Sequence, residues 1–451
     1  MDEIEDYGIQ HVKSDELPLS EVQIATKSSI NEIYQKIGIL SERPLVDGKI
    51  KMEPEDFVVE ELFDEADKYG YDRPIDINLI KEYFTSEEIS DIQKFDLKRD
   101  QKVLFKTINI DDKEKRKILH QELKKMPHVI SESSDGKFEI YKSNEKGILS
   151  FVYKKKNKDT VECALDLAKE LGINFDDIKF AGNKDRQAVT YQRFSVGNVY
   201  IDQLKEFSNV RRERDHLRLG KFYGNRFTIL VRSVEGKNCS LDSVIEKITE
   251  KYQVQSDHNS INDMKDDVIK LDTVKIPNFF GIQRFGRHLD NHLIGEHIQN
   301  KKYQEAVDLI MKIKENDTEY VKEAKKSFHD KKFDEAYTLF PKNCITEKTI
   351  AKTIKKGTRS AIFSIKKTLR VFFLHAYQSY KFNLQLSRML KNNEEKDHLN
   401  LTGSKVKRAT FIKSESMSIQ KLSEGYRISF ILPPSAYATV VLRELFGDFA
   451  F

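Results

Sequence analysis

Residues 182–192 read Gly-Asn-Lys-Asp-Arg-Gln-Ala-Val-Thr-Tyr-Gln, a tight polar segment that leads into a β-rich stretch. Asp185 lies between two cations at a sharp turn, and neighbouring positive charge favours the ionised form of a carboxylate. An ionised carboxylate is suited to attack or to stabilising positive charge, rather than to donating a proton. The alternative is an Asx-type turn with ordinary surface charges, which is a common arrangement. The segment alone leaves both interpretations open.

The elements on either side of this segment predict an α+β chain in which strands towards both ends enclose a helical block. The predicted strands, marked by β-rich stretches, are Phe57–Val59, Val103–Ile110, Phe138–Tyr141, Ile148–Tyr153, Ile178–Phe180, Phe227–Val231 and Tyr426–Leu432. The predicted helices, marked by apolar residues at helical spacing, are Ser28–Ile37, Asp112–Lys125, Asp159–Leu171, the region 291–391 and a closing helix from about Ala438.

The composition fits a folded chain of about three domains. Of the 451 residues, 39% are hydrophobic and 33% are charged, and the formal net charge is only +4. A basic surface must therefore come from segregated charge. The three cysteines form no Cys-x-x-Cys pair, which disfavours a cysteine-rich zinc site and a disulfide framework. The lysine run at 154–156 favours a solvated surface.

Several classes of protein are disfavoured by absent signals. No apolar run reaches about 18 residues and the N-terminus is acidic, so we expect no membrane span, secretory signal or Arg-rich transit peptide. No Gly-rich phosphate loop precedes Lys-Ser or Lys-Thr, and we expect no cofactor. His288 and His292 have the i, i+4 spacing of some zinc ligands, with His297 close by, but such histidines are usually surface or core residues, so no metal site is predicted. We expect a location in the nucleus, the cytoplasm or both.

Two further motifs combine glycine with aromatic residues. In 223–228, Gly224 permits a close approach of the backbone, Asn225 can pair with a base edge, and Phe227 can stack on a ring. The alternative for this motif is a hairpin turn into a core strand with Phe227 buried. Residues 277–286, Pro-Asn-Phe-Phe-Gly-Ile-Gln-Arg-Phe-Gly, form either a loop that wraps a nucleotide or a packed corner.

A basic tract interleaved with aromatic residues surrounds the first of these motifs. Phosphate binding is one interpretation of such a tract, and a solvated charged face is the other. The predicted phosphate contacts are Lys184, Arg186, Arg211, Arg212, Arg218, Arg226 and, from the aromatic loop, Arg284.

Taken together and in this order, segments spread from about Lys51 to Leu445 resemble the TruD family of pseudouridine synthases, in its eukaryotic-type branch. The segments that carry the resemblance are Lys51–Glu60, Gly182–Gln192, Gly224–Phe227, Asn278–Gly286, His375–Tyr380 and Ala438–Glu444. One such motif is weak, whereas six collinear motifs are highly specific.

The resemblance implies roles for five residues. Asp185 matches the essential catalytic aspartate of the family. Phe227 matches the phenylalanine that lies against the target uracil, and Asn225 the asparagine beside the catalytic aspartate. Lys51 matches a lysine near the active site, and Gln192 the glutamine that ends the second motif; both are assigned to substrate binding.

The resemblance also implies the reaction, the isomerisation of specific uridines to pseudouridine within RNA. The uridine leaves its stack at a cost of a few kcal/mol, and the freed uracil turns to present carbon 5 to the ribose. The implied partner is RNA: tRNA, with small nuclear RNA and messenger RNA as further substrates. We expect a monomer with no obligatory protein partner. Two rival functions stay open: RNA binding without turnover, and an RNA glycosylase or nuclease that uses the same carboxylate.

The implied fold is α+β: a catalytic module with a mixed, mainly antiparallel sheet flanked by helices, plus an inserted, mostly helical TRUD-like domain. The expected segments are a polar extension (1–45), the catalytic module (46–90, 144–287 and 426–451), an inserted RNA-binding module (91–143) and the helical domain (288–425). The inserted module matches an Arg-x-x-x-His pattern at Arg116 and His120. Because few residues separate Asn400 from Lys407, we expect the helical domain to be reduced.

Overall fold

The computed structural model describes residues 27–70, 74–134, 137–236, 239–251 and 268–450. The helices are α1 (Lys27–Lys36), α2 (Ile77–Lys81), α3 (Ser86–Ile92), α4 (Lys113–Leu123), α5 (Thr160–Leu171), α6 (Leu241–Lys251), α7 (Asn291–Gln299), α8 (Tyr303–Met311), α9 (Glu319–His329), α10 (Phe333–Leu339), α11 (Ile345–Thr353), α12 (Thr358–Ser364), α13 (Lys367–Lys391) and α14 (Ala438–Phe446). Residues 1–26, and with them most of the predicted polar extension, lie outside the described residues.

The strands are β1 (Leu45–Lys49), β2 (Phe57–Leu62), β3 (Lys102–Asn109), β4 (Val129–Ser134), β5 (Lys137–Ser143), β6 (Gly147–Lys156), β7 (Ile178–Phe180), β8 (Val189–Val199), β9 (Ser208–Glu213), β10 (Gly224–Ser233), β11 (Cys239–Ser240), β12 (Val268–Pro277), β13 (His398–Asn400), β14 (Lys407–Ala409), β15 (Phe411–Leu422), β16 (Gly425–Leu432) and β17 (Asp448–Ala450). The α+β class predicted from the sequence is confirmed. No described helix is both long enough and apolar enough to cross a bilayer.

The chain forms two compact units: a middle unit of residues 53–228, and a terminal unit of residues 1–52 and 229–451. In the middle unit, β8 pairs with β2 in parallel and with β6 and β7 in antiparallel orientation, and β6 also pairs with β9. The first part of β10 lies beside β2. This sheet is therefore mixed and mainly antiparallel, as expected. The helix α5 packs on it through Cys163, Ala164 and Leu167, which are fully buried.

The inserted segment of the middle unit has its own small core. The strands β3, β5 and β4 form a separate antiparallel sheet. Leu119 and Leu123 of α4 are fully buried against Ile140 of β5 and residues of α2 and α3. Three or more strands, or packing against a helix, are needed for a sheet to be stable on its own, and this segment has both. Its assignment as a separate RNA-binding module over residues 91–143 stays a prediction.

The terminal unit combines a set of paired strands with a block of helices. The strands β12, β15, β16 and the last part of β10 are neighbours in that order, and β1 pairs with β10, β11 and β17. The helices α7 to α13 enclose an apolar cluster that includes Ile310, Phe340 and Ile362. These helices agree with the predicted helical region 291–391.

The predicted end of the helical domain at residue 425 is wrong. Residues 398–422 form β13, β14 and β15, and β15 pairs along its length with β12. The sequence Phe411-Ile412-Lys413-Ser414 begins an alternation of buried and exposed side chains that is typical of a strand with one face on the core. The helical part of the insertion therefore ends at Lys391.

Candidate active site

Asp185 lies in the connection between β7 and β8 of the middle unit. The two strands pair antiparallel, Phe180 opposite Phe194, so residues 181–188 form the loop of an extended hairpin. Asp185, within this loop, is partly exposed. We call residues 181–188 the Asp185 loop.

A buried ammonium group supports the backbone of this loop through hydrogen bonds. Lys155 of β6 is 2% exposed. Its Nζ donates to the carbonyl oxygens of Asp185 at 2.8 Å, Lys184 at 3.3 Å and Lys158 at 2.8 Å. Burial lowers the pKa of Lys155 to about 8, against partly offsetting attraction from Cys163 and Asp185. The prediction that lysines 154–156 form a solvated surface is wrong for Lys155, because this residue continues the inward-facing positions of β6.

Thr160, Gln192 and the loop form a second set of contacts. The Thr160 hydroxyl accepts from the backbone N–H of Lys184 at 3.0 Å and donates to Oε1 of Gln192 at 2.9 Å. Nε2 of Gln192 donates to the carbonyl of Gly182. Gln192 is fully buried and both ends of its amide are engaged within the protein. The structure thus places Gln192 as a support of the loop, in place of the predicted contact to substrate.

Lys184 connects the loop to β2. Its side chain is 6% exposed and forms an ion pair with Glu61, whose side chain is fully buried. The other carboxylate oxygen of Glu61 accepts from the backbone N–H of Arg193 at 3.0 Å. Because this ammonium is buried and paired, the predicted phosphate contact of Lys184 is corrected to a structural role.

The start of β10 flanks β2 on the side opposite to β8. The ring of Phe227 meets that of Phe57 edge-on, with centroids 6.0 Å apart, and Phe227 is 8% exposed. The Asn225 side-chain oxygen is buried and has no hydrogen-bond partner among the described residues. A buried polar atom without a partner is costly, and a catalytic role, a water or an ion often explains one. The Asp185 loop and the Asn225–Phe227 segment therefore converge on one strand, β2.

The other residues of the basic tract are divided between internal and exposed positions. Arg211 forms ion pairs with Asp64 at 2.9 Å and with buried Asp67 at 2.7 Å. Arg226 pairs with Glu60 at 3.1 Å. Arg212 donates to the backbone carbonyls of Pro127 and Glu145.

Arg186 and Arg218 are exposed on the middle unit. In the terminal unit, Arg284 is half-buried and donates to the Ser379 hydroxyl at 3.2 Å. Lys51, also in the terminal unit, has a backbone φ of 58° and a partly exposed side chain. Phosphate contacts by the exposed arginines, and a substrate contact by Lys51, stay predictions.

The Arg-x-x-x-His pattern on α4 divides into two roles. Arg116 donates to the carbonyls of Ile110 and Asp111, which fixes the chain before the helix. His120 lines a cleft of about 510 Å³ between the inserted module and the segment Arg212–Lys221. Its ring nitrogen lies 2.6 Å from the Ser131 hydroxyl, and burial, followed by nearby Arg214 and Lys124, lowers its pKa.

The aromatic loop 277–286 is a packed corner. Phe279, Phe280 and Phe285 are buried in an apolar cluster of the terminal unit. Asn278 accepts from Arg408 through its side chain at 2.6 Å. His288 precedes α7, which begins at Asn291, so it shares no helix face with His292. Its Nε2 lies 3.7 Å from a carboxylate oxygen of Asp317.

The sequence interpretation missed Glu61, Lys155 and Thr160. A signal for Lys155 was present: Leu149, Phe151 and Lys155 occupy positions of the same parity on β6. Parity identifies the buried face, but the carbonyls that accept from the ammonium come from a loop about 30 residues away in the chain. Sequence patterns of one strand do not supply that partner.

The profile of the family described as tRNA pseudouridine synthase D (TruD) matches residues 122–400. The "Probable tRNA pseudouridine synthase D" of Thermococcus gammatolerans is 35% identical over 251 residues, which is 53% of this chain and 55% of that protein. The "Multisubstrate pseudouridine synthase 7" of Schizosaccharomyces pombe is 30% identical over 259 residues, or 53% of this chain and 35% of that protein. The chain thus spans about half the length of the Thermococcus protein and about a third of the yeast protein.

A similar fold is found in a crystal structure from Methanosarcina mazei, of a protein assigned as tRNA pseudouridine synthase D (TruD). The TM-score is 0.56 with 18% identity, over 93% of this chain and 98% of that one. The likeness at this identity concerns the fold, and it agrees with the α+β architecture described above.

Proposed function

The chain belongs to the TruD family, tRNA pseudouridine synthase D, and from that premise we propose that it isomerises uridine to pseudouridine in RNA with Asp185 as the catalytic residue. The proposed substrate is tRNA, with small nuclear RNA and messenger RNA as further classes. The proposed form is a monomer in the nucleus or cytoplasm. The cysteines Cys163, Cys239 and Cys344, none of which forms a disulfide, fit a reducing compartment.

One observation supports Asp185 in particular. The backbone of its loop is fixed at several points, by Lys155, by Lys184 and by Gln192, yet its own carboxylate side chain is partly exposed. A reacting group is effective when its position is set before substrate arrives, since misplacement by about 1 Å can cost about 100-fold in rate. A solvated surface turn needs no such buried support.

The reaction balances without any external reagent. The N1–C1′ bond of the uridine breaks and a C5–C1′ bond forms; the proton on carbon 5 leaves and N1 regains a proton. In our proposal the Asp185 carboxylate assists the breaking of the glycosidic bond of an everted uridine. Phe227 replaces part of the stacking lost on eversion, and such stacking is worth about 1–3 kcal/mol. The Asn225 oxygen, which has no partner among the described residues, accepts a hydrogen bond from the base.

The test is pseudouridine formation in tRNA transcripts by wild type, Asp185→Asn and the control Asp177→Asn. Asp177 is exposed and lies immediately before β7, the first strand of the same hairpin. We expect Asp185→Asn to lose at least about 1,000-fold in rate, as for other essential catalytic groups, while the control retains wild-type activity. Nucleoside analysis of digested RNA measures the product.

Three outcomes would remove the proposal. Equal yields from wild type and Asp185→Asn would exclude Asp185 as the catalytic residue. RNA binding with no pseudouridine from wild type would favour a binding protein. Abasic or cleaved RNA, in place of RNA of unchanged mass, would identify a glycosylase or nuclease.

A further inference from the structure

Positive charge is concentrated in the helical block of the terminal unit, in a segment that contains none of the six motifs. Residues 342–370 contain nine basic residues and one acidic residue, a net charge of +8, whereas the whole chain carries +4. The segment spans α11, α12 and the start of α13. The basic residues are Lys342, Lys348, Lys352, Lys355, Lys356, Arg359, Lys366, Lys367 and Arg370.

Most of these charges are exposed, unlike the internal arginines of the middle unit. Lys355 pairs with Asp334 at 2.7 Å, but both side chains are largely exposed. The one carboxylate of the segment, Glu347, is half-buried, and its desolvation raises its pKa. The exposed basic residues that pair with no carboxylate among the described residues are Lys342, Lys352, Lys356, Arg359 and Lys366.

Two aromatic rings lie among these cations. Phe363 of α12 is 51% exposed. The guanidinium of Arg359 lies 5.5 Å and that of Arg370 5.0 Å from the Phe363 ring centre. Tyr337 has Lys348 at 4.6 Å from its ring centre. An exposed ring flanked by cations can stack an unpaired base while the cations meet phosphates.

The apolar faces of the two helices are already covered. Ile350 and Ala351 of α11, and Ala361 and Ile362 of α12, are buried in the core of the helical block. A helix that binds a membrane surface needs its apolar face free to enter the lipid. The exposed cations and Phe363 therefore fit a polyanion with flat, stackable rings better than a lipid surface.

We infer that the surface formed by Lys352, Lys356, Arg359, Phe363 and Lys366 binds the RNA substrate at nucleotides other than the target uridine. We call these residues the α11–α12 surface. Its cations contact phosphates, and Phe363 stacks on an unpaired base. The inference rests on the proposed function for the identity of the RNA as a substrate, and it assigns the affinity for that RNA largely to residues outside the Asp185 loop.

The experiment compares two variants of the full chain with equal loss of charge. The surface variant is K352Q/K356Q/R359Q/K366Q. The control variant changes four exposed lysines elsewhere in the terminal unit, K270Q/K391Q/K405Q/K413Q. Fluorescence anisotropy with a labelled tRNA transcript gives Kd between 50 and 300 mM KCl, roughly the range over which phosphate contacts are salt-sensitive. Circular dichroism confirms that both variants are folded.

We expect the surface variant to bind at least about tenfold more weakly at about 150 mM salt, and the control within about twofold of wild type. The plot of log K against log salt becomes less steep by about 0.7–0.9 for every phosphate that is no longer neutralised. For three such phosphates the slope therefore changes by about 2 to 3. At saturating RNA the rate should stay within about twofold of wild type, because these residues lie outside the Asp185 loop.

A second pair of variants tests the stacking. Phe363→Ala should weaken binding of tRNA about tenfold or more, as expected for the loss of one stacked base, while Phe363→Tyr keeps the affinity. A fully paired RNA hairpin, which offers no unpaired base, should bind Phe363→Ala as it binds wild type. Stacking by this ring would be contradicted if Phe363→Ala and Phe363→Tyr weakened tRNA binding equally. It would also be contradicted if Phe363→Ala weakened binding of the hairpin as much as binding of tRNA.

Other outcomes overturn the inference as a whole. Equal Kd values and equal salt slopes for the surface and control variants would exclude the surface from RNA binding. If the surface variant binds RNA as wild type does but sediments less with phosphatidylcholine–phosphatidylserine vesicles, the α11–α12 surface binds lipid and not RNA. If wild type binds tRNA but makes no pseudouridine, the proposed function fails, and the affinities of the variants still decide whether this surface binds RNA.

Discussion

The substitution Lys155→Met separates the position of the Asp185 loop from the stability of the fold. Methionine keeps an unbranched side chain of similar length and removes the ammonium that donates to three backbone carbonyls. The variant therefore deletes the donor without leaving a large cavity. Lys154→Met is the matched control, because Lys154 is its neighbour on β6 and is exposed.

The expected change in the free energy of unfolding follows from two opposing contributions. The pKa of Lys155 falls from 10.5 to about 8, so keeping this lysine charged costs the fold about 3 kcal/mol, at about 1.4 kcal/mol per pKa unit. Removing it returns that cost. The three carbonyls then lose their donor, at about 1–3 kcal/mol each unless the loop moves to hydrate them. Movement is the less costly response, since the loop is at the surface.

We therefore expect Lys155→Met to change the free energy of unfolding by less than about 3 kcal/mol but to lower kcat about 100-fold. KM for RNA should stay within about threefold, because Lys155 is buried and touches no RNA. Release of tritium from RNA labelled at carbon 5 of uridine measures kcat, since that hydrogen leaves in the reaction. Lys155→Arg should recover part of the rate, because guanidinium also donates.

Two results would refute this reasoning. A kcat for Lys155→Met within about threefold of wild type would show that the ammonium does not set the position of the loop. An equal loss of kcat in Lys154→Met would show that positive charge on β6 in general, and not the three carbonyl contacts, supports the reaction.

Two further predictions concern the buried charges of the same loop. Because the pKa of Lys155 is lowered to about 8, kcat should decline as pH rises through about 8, and this decline should be absent in Lys155→Arg. Between about pH 8 and 10.5 the unfolded chain binds more protons at this lysine than the folded chain does. The contribution of Lys155 to the unfolding free energy should therefore rise with pH over that range. Lys184→Met should lower the unfolding free energy by about 3–5 kcal/mol because it leaves Glu61 charged and buried, whereas Glu61→Gln combined with Lys184→Met should cost less than the single change; urea unfolding measures both.

The elements around the site could be predicted because their signals are local. The helix α5 begins after Asp159, whose side chain caps it by accepting from the N–H of Glu162, and it ends at Gly172 with a φ of 65°. A capping acid, an amphipathic stretch and a closing glycine are all visible in the sequence. For the same reason β7 and β8 were found on either side of the Asp185 loop.

The partners of the charged residues could not be predicted in this way. Arg211 was expected to face RNA, but Asp64 and Asp67, about 145 residues earlier, neutralise it within the middle unit. Lys184 was expected to contact phosphate, but Glu61 holds it in a buried pair. A lysine or arginine has the same local pattern whether its partner is a phosphate or a distant carboxylate, so only the fold decides.

Positive charge serves two tasks in the RNA-modifying enzyme that we propose. In the middle unit two of the cations at the Asp185 loop act on the protein itself: Lys155 on carbonyls and Lys184 on Glu61. In the terminal unit the cations of residues 342–370 are largely exposed. Charges that hold a reacting group must be buried and paired to keep a fixed geometry, whereas charges that attract a polyanion act through solvent and need no fixed partner. The two tasks therefore place their positive charge on different parts of the chain. Outside residues 342–370 the chain carries a net charge of −4, so its total of +4 does not reveal the basic segment.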